Sequence, residues 1–106
     1  LFNEYLDRYP KGLFGANANY WLGEIYMIQS DYDKALSAFD QVLTRYPKNP
    51  KSADAMYKQG LAYIYQKDFN QAKKILTEVK NQFKNTTAAR LADKQLQSIE
   101  NINNGA

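Results

Sequence analysis

Apolar positions in the middle of the chain recur at helical spacing. Ala35, Leu36, Phe39, Val42, Leu43 and Tyr46 fall at i, i+1, i+4, i+7, i+8 and i+11, one stripe of a helix whose other side is polar. Ala72, Ile75, Leu76, Val79 and Phe83 draw the stripe a second time. Nowhere does apolar and polar alternate strictly for long enough to predict a strand. Pro10, Pro47 and Pro50 stop helices, because proline lacks the amide hydrogen and biases the residue before it away from the α region. Ser52 and Thr87 are placed to cap the helices that follow them, and Asp31 and Asp68 put negative charge at helix starts. The pattern predicts helices near 1–9, 15–29, 32–45, 52–66, 69–83 and 87–101.

These helices belong to a repeat of 37 residues. At that offset Ala16 becomes Ala53, Ala18 becomes Ala55, Tyr20 becomes Tyr57, Gly23 becomes Gly60 and Tyr26 becomes Tyr63. The register continues through Gln29 and Gln66, Asp31 and Asp68, Ala35 and Ala72, and Val42 and Val79, with Tyr32 and Phe69, Phe39 and Leu76, and Tyr46 and Phe83 as conservative pairs. One period earlier, Phe2, Leu6, Arg8 and Tyr9-Pro10 answer Phe39, Leu43, Arg45 and Tyr46-Pro47. The expectation is therefore the second helix of a truncated repeat over 1–10, full repeats over 15–47 and 52–84, and a helix over 87–101. That last helix runs through Ala88, Ala92, Leu96 and Ile99 without the Gly or Tyr of the repeat, as expected of a unit that covers the end of a stack. Asn101 to Ala106 is expected to be a frayed tail.

Composition narrows the chemistry. The chain has no Cys and no His, which removes disulfides, thiolate nucleophiles, the usual general base and the commonest metal ligands. The remaining carboxylates, such as Glu24, Asp40, Asp54 and Glu78, are scattered, and no Gly-rich phosphate loop occurs. No catalytic residue, metal site or cofactor is assigned. The charge of +3 is mild, and Lys73, Lys74, Lys80 and Lys84 are interspersed with apolar residues, so they read as a solvated helix face and not as a nucleic-acid stripe. No stretch reaches the roughly 20 apolar residues of a membrane span, and no signal segment opens the chain. Because the chain opens on Leu1 inside a repeat, it reads as part of a longer protein.

Leu22-Gly23 with Tyr26, then Ala35, Phe39 and Pro47, resemble the tetratricopeptide pattern. The second unit repeats it with Gly60, Tyr63, Ala72 and Leu76, although Lys84 stands where the terminal Pro is expected. The resemblance implies an all-α superhelix of about two and a half repeats plus a carboxy-terminal capping helix, serving to bind proteins. A mid-helix glycine costs about 1 kcal/mol against alanine, so Gly23 and Gly60 need a packing reason. Set against Ala35 and Ala72, they are expected to let the helices of each pair approach. Asn17-Ala-Asn-Tyr-Trp-Leu-Gly23, Tyr46-Pro-Lys-Asn-Pro50, Ala53-Asp-Ala-Met-Tyr-Lys58 with Gly60, and the closing Ala88-Ala-Arg-Leu-Ala92 are similar to the carboxy-terminal domains of the Tol-Pal-associated YbgF (CpoB) family. That resemblance implies a periplasmic protein with a trimeric coiled coil at its amino terminus. It further implies binding to TolA and a part in coordinating peptidoglycan synthesis with outer-membrane constriction in division, through a synthase complex. Outer-membrane assembly lipoproteins of the BamD type and generic peptide-binding adaptors stay open as alternatives.

In tetratricopeptide arrays the first helices line a concave groove. Mapped onto this register, that face selects Asn17, Tyr20, Trp21, Glu24, Met27 and Ile28, then Asp54, Tyr57, Lys58, Leu61, Ile64 and Tyr65. Tyr26, Tyr63, Leu22 and Phe39 read as core. Tyr20, Trp21, Tyr57 and Tyr65 fit packing and partner anchoring equally. A clamp for a terminal carboxylate would want Lys and Asn where Tyr20, Glu24, Tyr57 and Leu61 stand, so a segment docking through apolar contacts is expected instead. An RNA-binding array would want a basic inner face, whereas this one carries Glu24 and Asp54. The first helix presents Leu1, Phe2, Tyr5, Leu6 and Tyr9, which would pack on the next unit or pair with another chain.

Overall fold

The computed structural model describes residues 13–105, and among them the chain forms five helices and no strand: α1 (Leu13–Ile28), α2 (Tyr32–Arg45), α3 (Lys51–Tyr65), α4 (Phe69–Gln82) and α5 (Thr87–Gly105). The helix expected over 1–9, and with it the self-association surface of Leu1, Phe2, Tyr5, Leu6 and Tyr9, lies outside the described residues. At the far end α5 runs on to Gly105, so Asn101–Gly105 is helix and not a frayed tail. Ile99, 2% exposed in the core, anchors the turn before it, and no proline follows to stop the helix.

Helix ends follow local chemistry, in two places differently from expectation. Asp31 and Asp68 stand at the N-caps of α2 and α4; Asp68 Oδ1 accepts the Gln71 amide at 3.3 Å, and Asp31 instead pairs with Lys34 at 3.6 Å. Ser52 does not cap α3. It is buried one residue inside the helix, and its hydroxyl donates back to the Tyr46 carbonyl at 2.6 Å, tying the α2–α3 turn shut. At α5 the cap is Thr86 and not Thr87: Thr86 Oγ1 accepts the Ala89 amide at 3.1 Å and donates to the Phe83 carbonyl at 2.6 Å. The α1–α2 and α3–α4 turns share one geometry, as the repeat requires. Ser30 and Lys67 adopt left-handed φ of 59° and 62°, and the amides of Asp31 and Asp68 reach back to Tyr26 and Tyr63 carbonyls, both at 2.9 Å.

Burial divides into two clusters. Tyr20, Phe39, Val42, Ala35 and Ala55 form one between α1, α2 and α3. Leu76, Val79, Met56, Tyr57, Ala92 and Ile99 are central to the other, between α3, α4 and α5, and Leu43 packs against both. The expected glycine contacts are corrected in detail. A Cβ on Gly23 would meet not Ala35 but the Phe39 ring, with Cζ at 2.6 Å and Cδ1 at 2.7 Å. On Gly60 it would meet Leu76 and not Ala72, with Cδ2 at 2.5 Å and Cγ at 2.8 Å. The large residue of the second helix fills the space that the glycine leaves empty.

Each helix packs on its sequence neighbour, and in addition α1 packs on α3 and α3 on α5. Among the described residues α2 and α4 make no such contact. Two layers result, and they are unequal: the odd helices touch along one wall while the even helices are held apart. A two-layer array closes on the side where its members meet, so α1, α3 and α5 form the inner wall.

Candidate protein-binding face

Helix α1 has a single charged residue, Glu24, in 16, and is apolar nearly all round. Such a helix must hide more than one side. One side feeds the core through Ala16, Ala18 and Tyr20, and another forms part of the inner wall.

The twelve residues expected on that wall separate by depth. Tyr20 and Tyr57 are buried at 7% and 9% exposure and belong to the two core clusters. Met27, Leu61 and Ile64 are half-buried and pack on those clusters. Asn17, Glu24, Asp54 and Lys58 are also half-buried. Trp21, Ile28 and Tyr65 project, at 52%, 83% and 59% exposure. The structure thus brings the rings together in pairs: Tyr20 sits edge-on to Trp21 at 5.6 Å and tilted to Phe39 at 5.7 Å, and Tyr65 stacks on Tyr32 at 5.6 Å.

Charge on this face is largely spent internally. Lys58 on α3 reaches Glu24 on α1 at 3.3 Å, an ion pair that joins equivalent helices of successive repeats. Lys51 places its ammonium 4.7 Å from the Tyr20 ring centre and 5.7 Å from that of Trp21, fixing the indole between repeats. Burial first, then the negative charges of Glu24 and Asp54, push the Tyr20 hydroxyl up to about 12, so it stays protonated at any physiological pH. The wall offers exposed rings and alkyl groups with little free charge.

Two contributors were missed by the reading of the sequence. Leu91 and Ile102 on α5 are 38% and 58% exposed. Ile102 lies one repeat beyond Tyr65, which lies one repeat beyond Ile28; Leu91 likewise follows Asp54 and Asn17. The offset that revealed the repeat carried this information: the expectation of a frayed tail hid Ile102, and reading the last helix only as a cap left Leu91 off the wall.

The tetratricopeptide repeat pattern matches residues 16–85, which cover α2, α3, α4 and all but the first turn of α1. The chain belongs to the tetratricopeptide repeat family, whose members are modules for binding other proteins. A comparison with curated proteins finds no match. Among the described residues no group of three or more His, Cys, Asp or Glu side chains could hold a metal ion, and no helix is long and apolar enough to cross a membrane.

Proposed function

We propose that the inner wall binds an apolar segment of a protein partner, and that the partner is TolA, in the Tol-Pal system of a periplasmic envelope. The observation that carries the binding reading is the alignment of Ile28, Tyr65 and Ile102, one on each odd helix and each more than half exposed. Monomeric proteins seldom leave such residues in register on one wall without use. Trp21, held by Lys51 and Tyr20, supplies a rigid aromatic anchor beside them, the residue type most enriched among binding hot spots. The Tol-Pal reading, with its link to peptidoglycan synthesis and division, is supported by the resemblance of the Asn17–Gly23, Tyr46–Pro50 and Ala53–Gly60 segments to YbgF (CpoB) domains.

Titration of the chain with the helical region of TolA, read by isothermal calorimetry, tests both levels. Saturable binding is expected, weakened at least tenfold, or about 1.4 kcal/mol, by Trp21→Ala and by Tyr65→Ala, with helicity unchanged. These exposed positions are better probes than Tyr20 and Tyr57, whose truncation would open the core. Binding untouched by either variant would move the site off the inner wall; no binding to TolA would remove the Tol-Pal assignment.

A further inference from the structure

Charge is distributed unevenly along the chain. Residues 1–68 hold eight Lys and Arg against eight Asp and Glu, whereas residues 69–106 hold six against three, so the whole net charge of +3 belongs to the carboxy-terminal third. Four of those six cations, Lys80, Lys84, Arg90 and Lys94, line one open cleft of about 710 Å³ between the end of α4 and the start of α5. Asp93 is its sole acid, and that carboxylate is already occupied: Lys80 Nζ donates to one oxygen at 2.7 Å and Gln97 Nε2 to the other at 3.0 Å. Arg90 makes one hydrogen bond, to Thr87 Oγ1 at 3.1 Å. Lys84 and Lys94 have no ion pair among the described residues. Cations gathered around a shared cleft repel one another, and an anion placed among them relieves that repulsion.

The repeat shows that this cleft departs from the pattern. Arg90, Lys94 and Gln97 occupy the positions that Ala53, Tyr57 and Gly60 hold one repeat earlier, where all three are buried. On α5 that face is polar, suited to a hydrated ligand and not to an apolar helix. A second cleft of about 630 Å³ shares Lys80, Asp93 and Gln97 and carries the seam on to Lys73 and Glu100. From Lys73 to Gln82 is about 14 Å of helix, the length of about four residues of extended chain, and Lys84 stands in the turn just beyond. No aromatic ring lines either cleft, so nothing is present to stack a nucleobase.

We infer that the α4–α5 seam binds an acidic segment of a protein partner, a stretch of extended chain whose Asp and Glu carboxylates meet Lys84, Lys94 and Arg90. The site is separate from the inner wall and does not depend on the reading proposed for it. Anisotropy of a labelled hexaglutamate peptide, titrated with the full chain at low ionic strength, is the test. Saturable binding that salt weakens is expected, with hexaglutamine inert. Lys84→Glu with Lys94→Glu should weaken it by about tenfold or more. Arg45→Glu with Lys48→Glu, which removes the same charge elsewhere, should leave it within about twofold, as should Trp21→Ala. Equal loss in both double variants, with helicity retained, would reduce the effect to net charge and overturn the inference. So would absence of binding, or displacement of the peptide by a DNA oligonucleotide or anionic vesicles at lower concentration than unlabelled hexaglutamate.

Discussion

Gly23 shows how a single missing Cβ sets the distance between two helices. Three Phe39 ring atoms stand where that carbon would go, in a core position from which the ring has no solvent to turn towards. Gly23→Ala gains about 1 kcal/mol of helix propensity but forces overpacking that typically costs 1–3 kcal/mol or more. A net loss of up to about 2 kcal/mol or more is expected in denaturant melts, with Gly60→Ala milder because Leu76 can shift where a ring cannot. The need for glycine was legible in the sequence, but its opposing partner was not. Periodicity gives the face of a helix, whereas the height at which two helices meet depends on packing across them. Lys67 presents the reverse case, a side chain held at φ 62° where glycine would be unstrained. Lys67→Gly is expected to raise stability by about 0.5–1 kcal/mol, seen as a higher Tm. Tyr20 adds a pH dependence. Its folded pKa of about 12 lies above the ordinary 10.0, so the unfolded chain releases this proton first. Stability is then intact below pH 10 and falls as pH rises towards about 12. Absorbance titration at 295 nm should show a late-ionising component that Tyr20→Phe removes.

Helix existence was legible because three features agreed: a one-faced stripe, prolines between units and acidic residues at the starts of α2 and α4. Ends were less so, since a cap is a matter of which hydroxyl reaches which amide. Thr86 and Thr87 are adjacent and chemically identical, yet only Thr86 has its oxygen within 3.1 Å of the Ala89 amide. Thr86→Ala should cost about 1 kcal/mol, whereas Thr87→Ala, whose hydroxyl meets only the exposed Arg90 side chain, should change the melting midpoint little. Ser52 resembles a cap in sequence, but Pro50 and the Asn49 side chain, which accepts the Lys51 amide at 2.9 Å, already begin the helix before it. Its hydroxyl was free to close the turn behind it. The extent of α5 was missed for a related reason: Asn101 to Asn104 are weak helix formers, and tertiary packing of Ile99 overrode their propensity.

The arrangement of whole helices follows from the repeat, because equal units joined by equal turns must stack in equal orientation. That geometry brings α1, α3 and α5 into contact along one wall, but it could not separate wall from core within it. Tyr20 and Trp21 are sequence neighbours with similar chemistry, and burial sends one inward at 7% exposure and leaves the other at 52%. The stack also predicts how the molecule comes apart. α3 supplies Ala55 to one core cluster and Ala53, Met56 and Tyr57 to the other, while Leu43 on α2 touches both. Repeat arrays unfold as one unit only while the coupling between neighbours exceeds what each can lose alone. Leu43 is half-buried, so Leu43→Ala should remove about 1–3 kcal/mol, and most of it from the junction. The sole tryptophan, Trp21, reports on the first hairpin, and far-ultraviolet circular dichroism on all helices together. In the natural chain the two signals should share a single urea midpoint. In Leu43→Ala the Trp21 transition should move to lower urea than the dichroism, because the smaller amino-terminal cluster loses its support while Leu76, Val79 and Ile99 keep theirs. Coincident transitions in the variant would mean that α1–α3 packing and the Glu24–Lys58 pair couple the repeats without Leu43.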